Sequence, residues 1–168
     1  SGKGVIVPDT VLSMHQLLSG HYHTAAVRRG LGVVPVNYTF AMKMSEPQHD
    51  KYVNDLAEVC RYYHQRTGED ISLFTQVCLP GDDDSVVVKE LANKLRKLGV
   101  PFHTIPKRVD LPGYVSALCE MRAVIGARMH ACIFALTARI PVIGLAYQPK
   151  FFGLFSLFKL ENWVSPLD

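Results

Sequence analysis

The chain has 168 residues, 48% of them hydrophobic and 20% charged, with a formal net charge of +3, the composition of one ordinary globular domain or of a domain with an added arm. The small positive charge is spread along the sequence without a basic run interleaved with aromatics, which argues against nucleic acid as a partner. The longest apolar stretches, 141–146 and 151–160, fall far short of the roughly 20 residues of a membrane span, and Cys60, Cys78, Cys119 and Cys132 match neither a CxxC pair nor a compact disulfide framework, so they read as reduced thiols of a cytosolic protein.

Residues 1–30 read as an N-terminal arm or linker, with Val5-Ile6-Val7 a candidate short strand stopped by Pro8-Asp9. The opening Ser1-Gly2-Lys3-Gly4 carries no apolar signal segment and no initiator Met, and reads as an internal cut or a cloning remnant. From residue 31 to 168 the pattern becomes regular and describes one domain. Gly32-Val33-Val34-Pro35-Val36 predicts a buried strand. Tyr52, Val53, Leu56, Val59, Cys60 and Tyr63 recur at helical spacing between Pro47 and Gly68 and predict a helix over 47–66. A strand over 71–77 follows, and then an amphipathic helix that turns Val87, Leu91, Leu95 and Leu98 inward and stops at Gly99. A third strand over 100–105, a short helix from Asp110 to about Glu120 and a fourth strand at 123–126 come next. The last three predicted elements are a helix over 128–138, a strand over 141–146 and a helix over 152–160. Strands alternating with helices need crossover connections, so the expected fold is α/β: a doubly wound, mostly parallel, Rossmann-like sheet.

In such a sheet the ligand crevice lies outside the carboxyl ends of the strands, where helix N-termini offer N–H groups to anions. The fourth strand ends in Gly126-Ala127-Arg128-Met129-His130 and the fifth in Tyr147-Gln148-Pro149-Lys150. An Arg able to grip a carboxylate or phosphate, a Lys as a point charge and a His whose proton moves near neutral pH thus share one edge, which reads as an anion site. Each residue alone would be an ordinary surface ion or a structural imidazole; their joint placement makes the case.

Other motifs carry less. Asp82-Asp83-Asp84 precedes a helix and is expected to cap it rather than hold a metal. His21 and His23 lack a third ligand at zinc spacing. Asn37-Tyr38-Thr39 fits a glycosylation acceptor, but the cysteine usage argues against secretion. Tyr52, Tyr63 and Phe134 lie on apolar stripes and are expected in the core; Phe151, Phe152 and Phe155 could either pack the last crossover or line the mouth of the site. No cofactor and no metal is expected.

The segment 124–136, with Arg128-x-His130, followed by 140–150 with Tyr147-x-x-Lys150, closely resembles the polysaccharide pyruvyl transferases, and a looser likeness reaches back to about Leu31 through Asp50-Lys51-Tyr52. That resemblance implies one half of a GT-B-like enzyme, here the C-terminal, donor-binding half, with the N-terminal half as its missing partner. It implies transfer of a pyruvyl group from phosphoenolpyruvate to a sugar of a polysaccharide or glycan precursor as a ketal. It makes His130 the general acid or base, and Arg128, Lys150, Gly126 and Tyr147 the substrate-binding residues. The expected location is cytoplasmic, extending to the membrane face. The competing readings are the nucleotide-sugar-binding half of a GT-B glycosyltransferase or epimerase, disfavoured because the turn 126–128 has no second glycine, and a non-catalytic binding domain, disfavoured by the joint presence of Arg128, His130 and Lys150.

Overall fold

Short apolar strands flanked by longer helices build one parallel sheet, in the computed structural model that describes residues 27–37, 45–105 and 110–167. The elements are β1 (Leu31–Val34), α1 (Glu46–Thr67), β2 (Ile71–Phe74), β3 (Cys78–Leu79), β4 (Asp82–Asp83), α2 (Ser85–Lys97) and β5 (Phe102–Ile105). They continue with α3 (Leu111–Cys119), β6 (Ala123–Gly126), α4 (Met129–Thr137), β7 (Val142–Ala146), α5 (Lys150–Leu157), a 3-10 turn (Glu161–Trp163) and β8 (Val164–Pro166). The six-stranded sheet runs β5-β2-β1-β6-β7-β8, every pair parallel, while β3 and β4 form a separate small hairpin.

Local chemistry explains the boundaries. Before α1 the Gln48 side chain accepts the Ser45 N–H at 3.1 Å, Pro47 occupies the first turn, and Gly68 closes the helix at φ 71°, donating to the His64 carbonyl at 2.7 Å. Asp110 caps α3 by accepting the Gly113 N–H at 2.9 Å.

Each face of the sheet buries its own core. Leu31, Val33, Ile71, Leu73 and Ile125 pack under α1 and α2. Val34, Phe74, Val124, Val142 and Ala146 pack under α3, α4 and α5. Phe151 and Phe155 are fully buried in this second core, so the last crossover packs through them, whereas Phe152 is exposed. Tyr52 and Phe134 are buried and Tyr63 partly so, as their stripes require. No disulfide joins any two of the four cysteines.

Several expectations shift. The second strand ends at Phe74, and the residues up to Asp83 leave the sheet to form the β3–β4 hairpin. Leu98 lies beyond the end of α2 and is exposed, and Val59, although on the apolar stripe of α1, is exposed as well. The last helix begins at Lys150, two residues earlier than its periodicity suggests. The edge strand β8 is an added element. The candidate strand Val5-Ile6-Val7 lies outside the described residues, while the approach to β1 is fastened to the C-terminal ends of α3 and α4: Arg28 donates to the carbonyls of Ala138 and Arg139, and the Arg29 N–H to that of Glu120.

Candidate functional site

The strand order changes direction between β1 and β6: β2 and β5 extend the sheet on one side of β1, and β6, β7 and β8 on the other. Loops leaving adjacent strands in opposite directions open a crevice at that point, on the carboxyl edge. Asn37 follows β1 there, Arg128 follows β6, and the β3–β4 hairpin after β2 brings Asp82, Asp83 and Asp84 to the same edge.

These residues form a closed cluster. The Asp84 carboxylate has no solvent exposure and accepts the Asn37 N–H at 2.9 Å, the Val77 N–H at 3.0 Å, Arg128 Nε at 3.0 Å and Arg128 Nη2 at 2.7 Å. Arg128, 9% exposed, also donates from Nη2 to Asp82 Oδ1 and from Nη1 to Asp82 Oδ2 at 3.3 Å. Burial works against the Arg128 charge, but the hydrogen bonds it makes to Asp84 and then to Asp82 outweigh it and hold the guanidinium above its ordinary pKa. Beside the cluster, Tyr52 accepts the Val36 N–H at 3.2 Å, and burial, with Asp84 nearby, raises its phenol above the ordinary range.

The expected capping role of the acidic triplet therefore needs correction. Asp83 does serve the helix start, accepting the Ser85 N–H at 2.9 Å. Asp84 holds the N-cap position but makes no side-chain bond to α2; a buried guanidinium opposite it is a stronger partner than a helix N–H. Among the described residues no group of three or more His, Cys, Asp or Glu side chains could hold a metal ion.

The other anticipated residues occupy the same edge. Arg128 is the N-cap of α4, placing His130 as an exposed residue in the first turn of that helix. Lys150 is the exposed first residue of α5, which follows β7, the strand beside β6. Tyr147 is partly buried, its ring edge-on to Phe151 with centroids 5.6 Å apart. Gly126 is buried; a Cβ there would lie 2.7 Å from Cys132 Sγ, so close packing of α4 on β6 requires the glycine. Burial lifts the Cys132 thiol to about 12, which keeps it protonated and inert. Asn37 is buried, and its amide donates to the Asp83 carbonyl at 3.2 Å, a poor position for a glycan acceptor. His21, His23, Tyr38 and Thr39 lie outside the described residues.

Sequence reasoning did not foresee the Asp82–Arg128–Asp84 cluster. Its members are separated by 44 and 46 positions, and only the order of the strands brings them together.

With this geometry established, comparison with known proteins is informative: the family model for polysaccharide pyruvyl transferase matches residues 1–149. The chain belongs to this family. The matched span contains Arg128, His130 and Tyr147 and stops one residue before Lys150. No curated protein and no solved structure matches the chain. Membership in this family indicates a pyruvyl transferase enzyme. No helix among the described residues is long and apolar enough to cross a membrane.

Proposed function

We propose that the domain is the donor half of a polysaccharide pyruvyl transferase and that its crevice at the ends of β6 and β7 takes phosphoenolpyruvate. The supporting observation is the family match over an Arg128-x-His130 turn at the point where the strand order reverses. A nucleotide-sugar reading is weaker, since the sequence that follows β1, residues 35–45, contains no glycine to cradle a diphosphate.

In this reading the methylene carbon of the enolpyruvyl group takes a proton and its C2 becomes electrophilic. Two hydroxyls of one sugar add to C2, the C2–O bond to phosphate breaks, and the products are a ketal and inorganic phosphate. Of the two hydroxyl protons released, one balances the proton taken by the methylene and the other leaves with phosphate. His130, exposed and at the helix start, transfers a proton as general acid or base. Lys150 faces the anionic end of the donor, Tyr147 lies between them in the chain, and Gly126 closes the floor. Arg128 enters through its fixed position. A facing half supplies the acceptor site, in the manner of a GT-B enzyme.

The test is calorimetric titration of the chain with phosphoenolpyruvate, UDP-sugars and CMP-sugars, with steady-state turnover of the enzyme bearing His130→Asn. Phosphoenolpyruvate should bind weakly and the variant should retain donor affinity while losing about 100-fold in turnover, the usual scale of a lost acid–base group. Binding of a nucleotide sugar in preference to phosphoenolpyruvate, or near-normal turnover of the variant, overturns the reading.

A further inference from the structure

We propose that Arg128 serves this site as a positioning residue, locked by Asp84 and Asp82, and that it is not the cation that grips the donor. The inference rests on the donor reading above and departs from the anion-clamp role that the sequence suggests for this arginine.

Hydrogen-bond capacity is the first argument. A guanidinium has five N–H donors, and the bidentate grip on a phosphate or carboxylate uses two that lie side by side. Nε, Nη2 twice, and Nη1 once are already committed to Asp84 and Asp82. A single Nη1 N–H is left over, so no parallel pair remains for a ligand. Charge is the second argument. One guanidinium faces two carboxylates, giving the cluster a negative balance that repels an incoming anion. An exposed cation stands on the neighbouring turn of this edge, at Lys150.

The third argument is what the lock holds together. Asp84 collects N–H groups from the segments after β1 and β2, and a side chain from the turn after β6. Those strands are neighbours in the sheet and flank the reversal point. Arg128 is also where α4 starts: its carbonyl accepts the Cys132 N–H at 3.3 Å, and the preceding Ala127 N–H pairs with the Val34 carbonyl at 2.9 Å. Fixing the Arg128 side chain therefore fixes the first turn of α4 and with it His130. Removing one partner of so buried a pair leaves an uncompensated charge, so Asp84 and Arg128 depend on each other for their place.

A double-mutant cycle separates positioning from clamping, with phosphoenolpyruvate affinity read by NMR titration on the intact chain. If Arg128 positions, Arg128→Gln and Asp84→Asn each weaken binding about tenfold, and Arg128→Gln costs no more than about twofold in the Asp84→Asn background, because the two act as one unit. A clamp predicts the reverse: the arginine freed from Asp84 binds the donor directly, and removing it costs as much or more in that background. That result overturns the proposal. Should Asp84→Asn not fold, Asp82→Asn at the partly exposed rim of the cluster supplies the second background with the same expected sign. Without donor, Asp84→Asn, which keeps one acceptor oxygen where the carboxylate offers Oδ1 to Asn37 and Oδ2 to Val77, should also strip exchange protection from at least one of these two amides and shift the His130 ring signals. Full protection retained at both amides, or unmoved His130 signals, overturns the lock itself. If the wild-type chain does not bind phosphoenolpyruvate, the donor reading falls while the amide and His130 signals still decide whether Asp84 and Arg128 set this edge.

Discussion

A missing side chain at position 126 shows how tightly single residues constrain this edge. The Gly126 carbonyl accepts the Cys132 thiol at 3.4 Å, and a methyl group at 126 would come within 2.7 Å of that sulfur. Both are buried, so neither can retreat into solvent. Gly126→Ala should therefore cost about 1–3 kcal/mol, the usual range for overpacking a filled core. The obstacle is one sulfur atom, and Gly126→Ala combined with Cys132→Ala should regain much of the loss. Thermal denaturation of the two variants checks this: a Gly126→Ala chain as stable as the wild type would show that α4 moves freely on β6. The same reasoning applies at Arg128, where the side chain's partners, and not its charge alone, determine what it can do.

Among the elements, the lower edge of the sheet is held by Glu69, in the turn between α1 and β2. Its carboxylate accepts the Gly30 N–H at 2.9 Å, the Tyr63 hydroxyl at 2.6 Å and Arg122 Nη2 at 2.5 Å, joining the end of α1 to the approaches of β1 and β6. The Arg122 guanidinium, followed by the Tyr63 hydroxyl, lowers the Glu69 carboxyl to about 2. A group whose pKa is depressed by folding contributes stability that is complete above its unfolded value, near 4.3, and is lost as the pH falls toward the folded value. Wild type should thus lose stability between about pH 4.5 and 2, while Glu69→Gln is less stable at pH 7 and changes less over that window. Melting temperatures at several pH values test this, and parallel curves would show that Glu69 does not hold the edge. Elements with strong periodicity were legible in advance. Pro47 and Gly68 bracket α1, and the β-branched runs mark β1, β6 and β7. By contrast, β8 is three residues, Val164-Ser165-Pro166, whose extended form comes from pairing with β7 and not from composition. The β3–β4 hairpin contributes two residues per strand, too short for any alternation to register. His130 and Lys150 could be placed at strand ends because each follows an apolar run, but the acids that engage Arg128 could not be assigned to it before the order β2-β1-β6 was known.

At the level of the whole molecule, the two faces of the sheet differ, and β7 displays the difference within two residues. Gly144 faces the core under α5, where a Cβ would lie 2.6 Å from the ring of the fully buried Phe155. Ile143 faces the other way, 40% exposed, and with Val59 and Tyr62 of α1 and Trp163 it lines an open apolar groove. An exposed apolar patch of this kind promotes association between chains. Opposite outcomes should follow from neighbouring substitutions. Gly144→Ala should destabilise by about 1–3 kcal/mol, since the phenyl ring has no room to yield. Ile143→Lys should change stability by less than about 1 kcal/mol, because its stem can lie along the groove with the ammonium in water. It should also raise the concentration at which the chain begins to scatter light. Denaturant melts and light-scattering series on both variants decide the matter. If Ile143→Lys unfolds the chain, Ile143 belongs to the packed core; if it leaves scattering unchanged, the groove does not drive association.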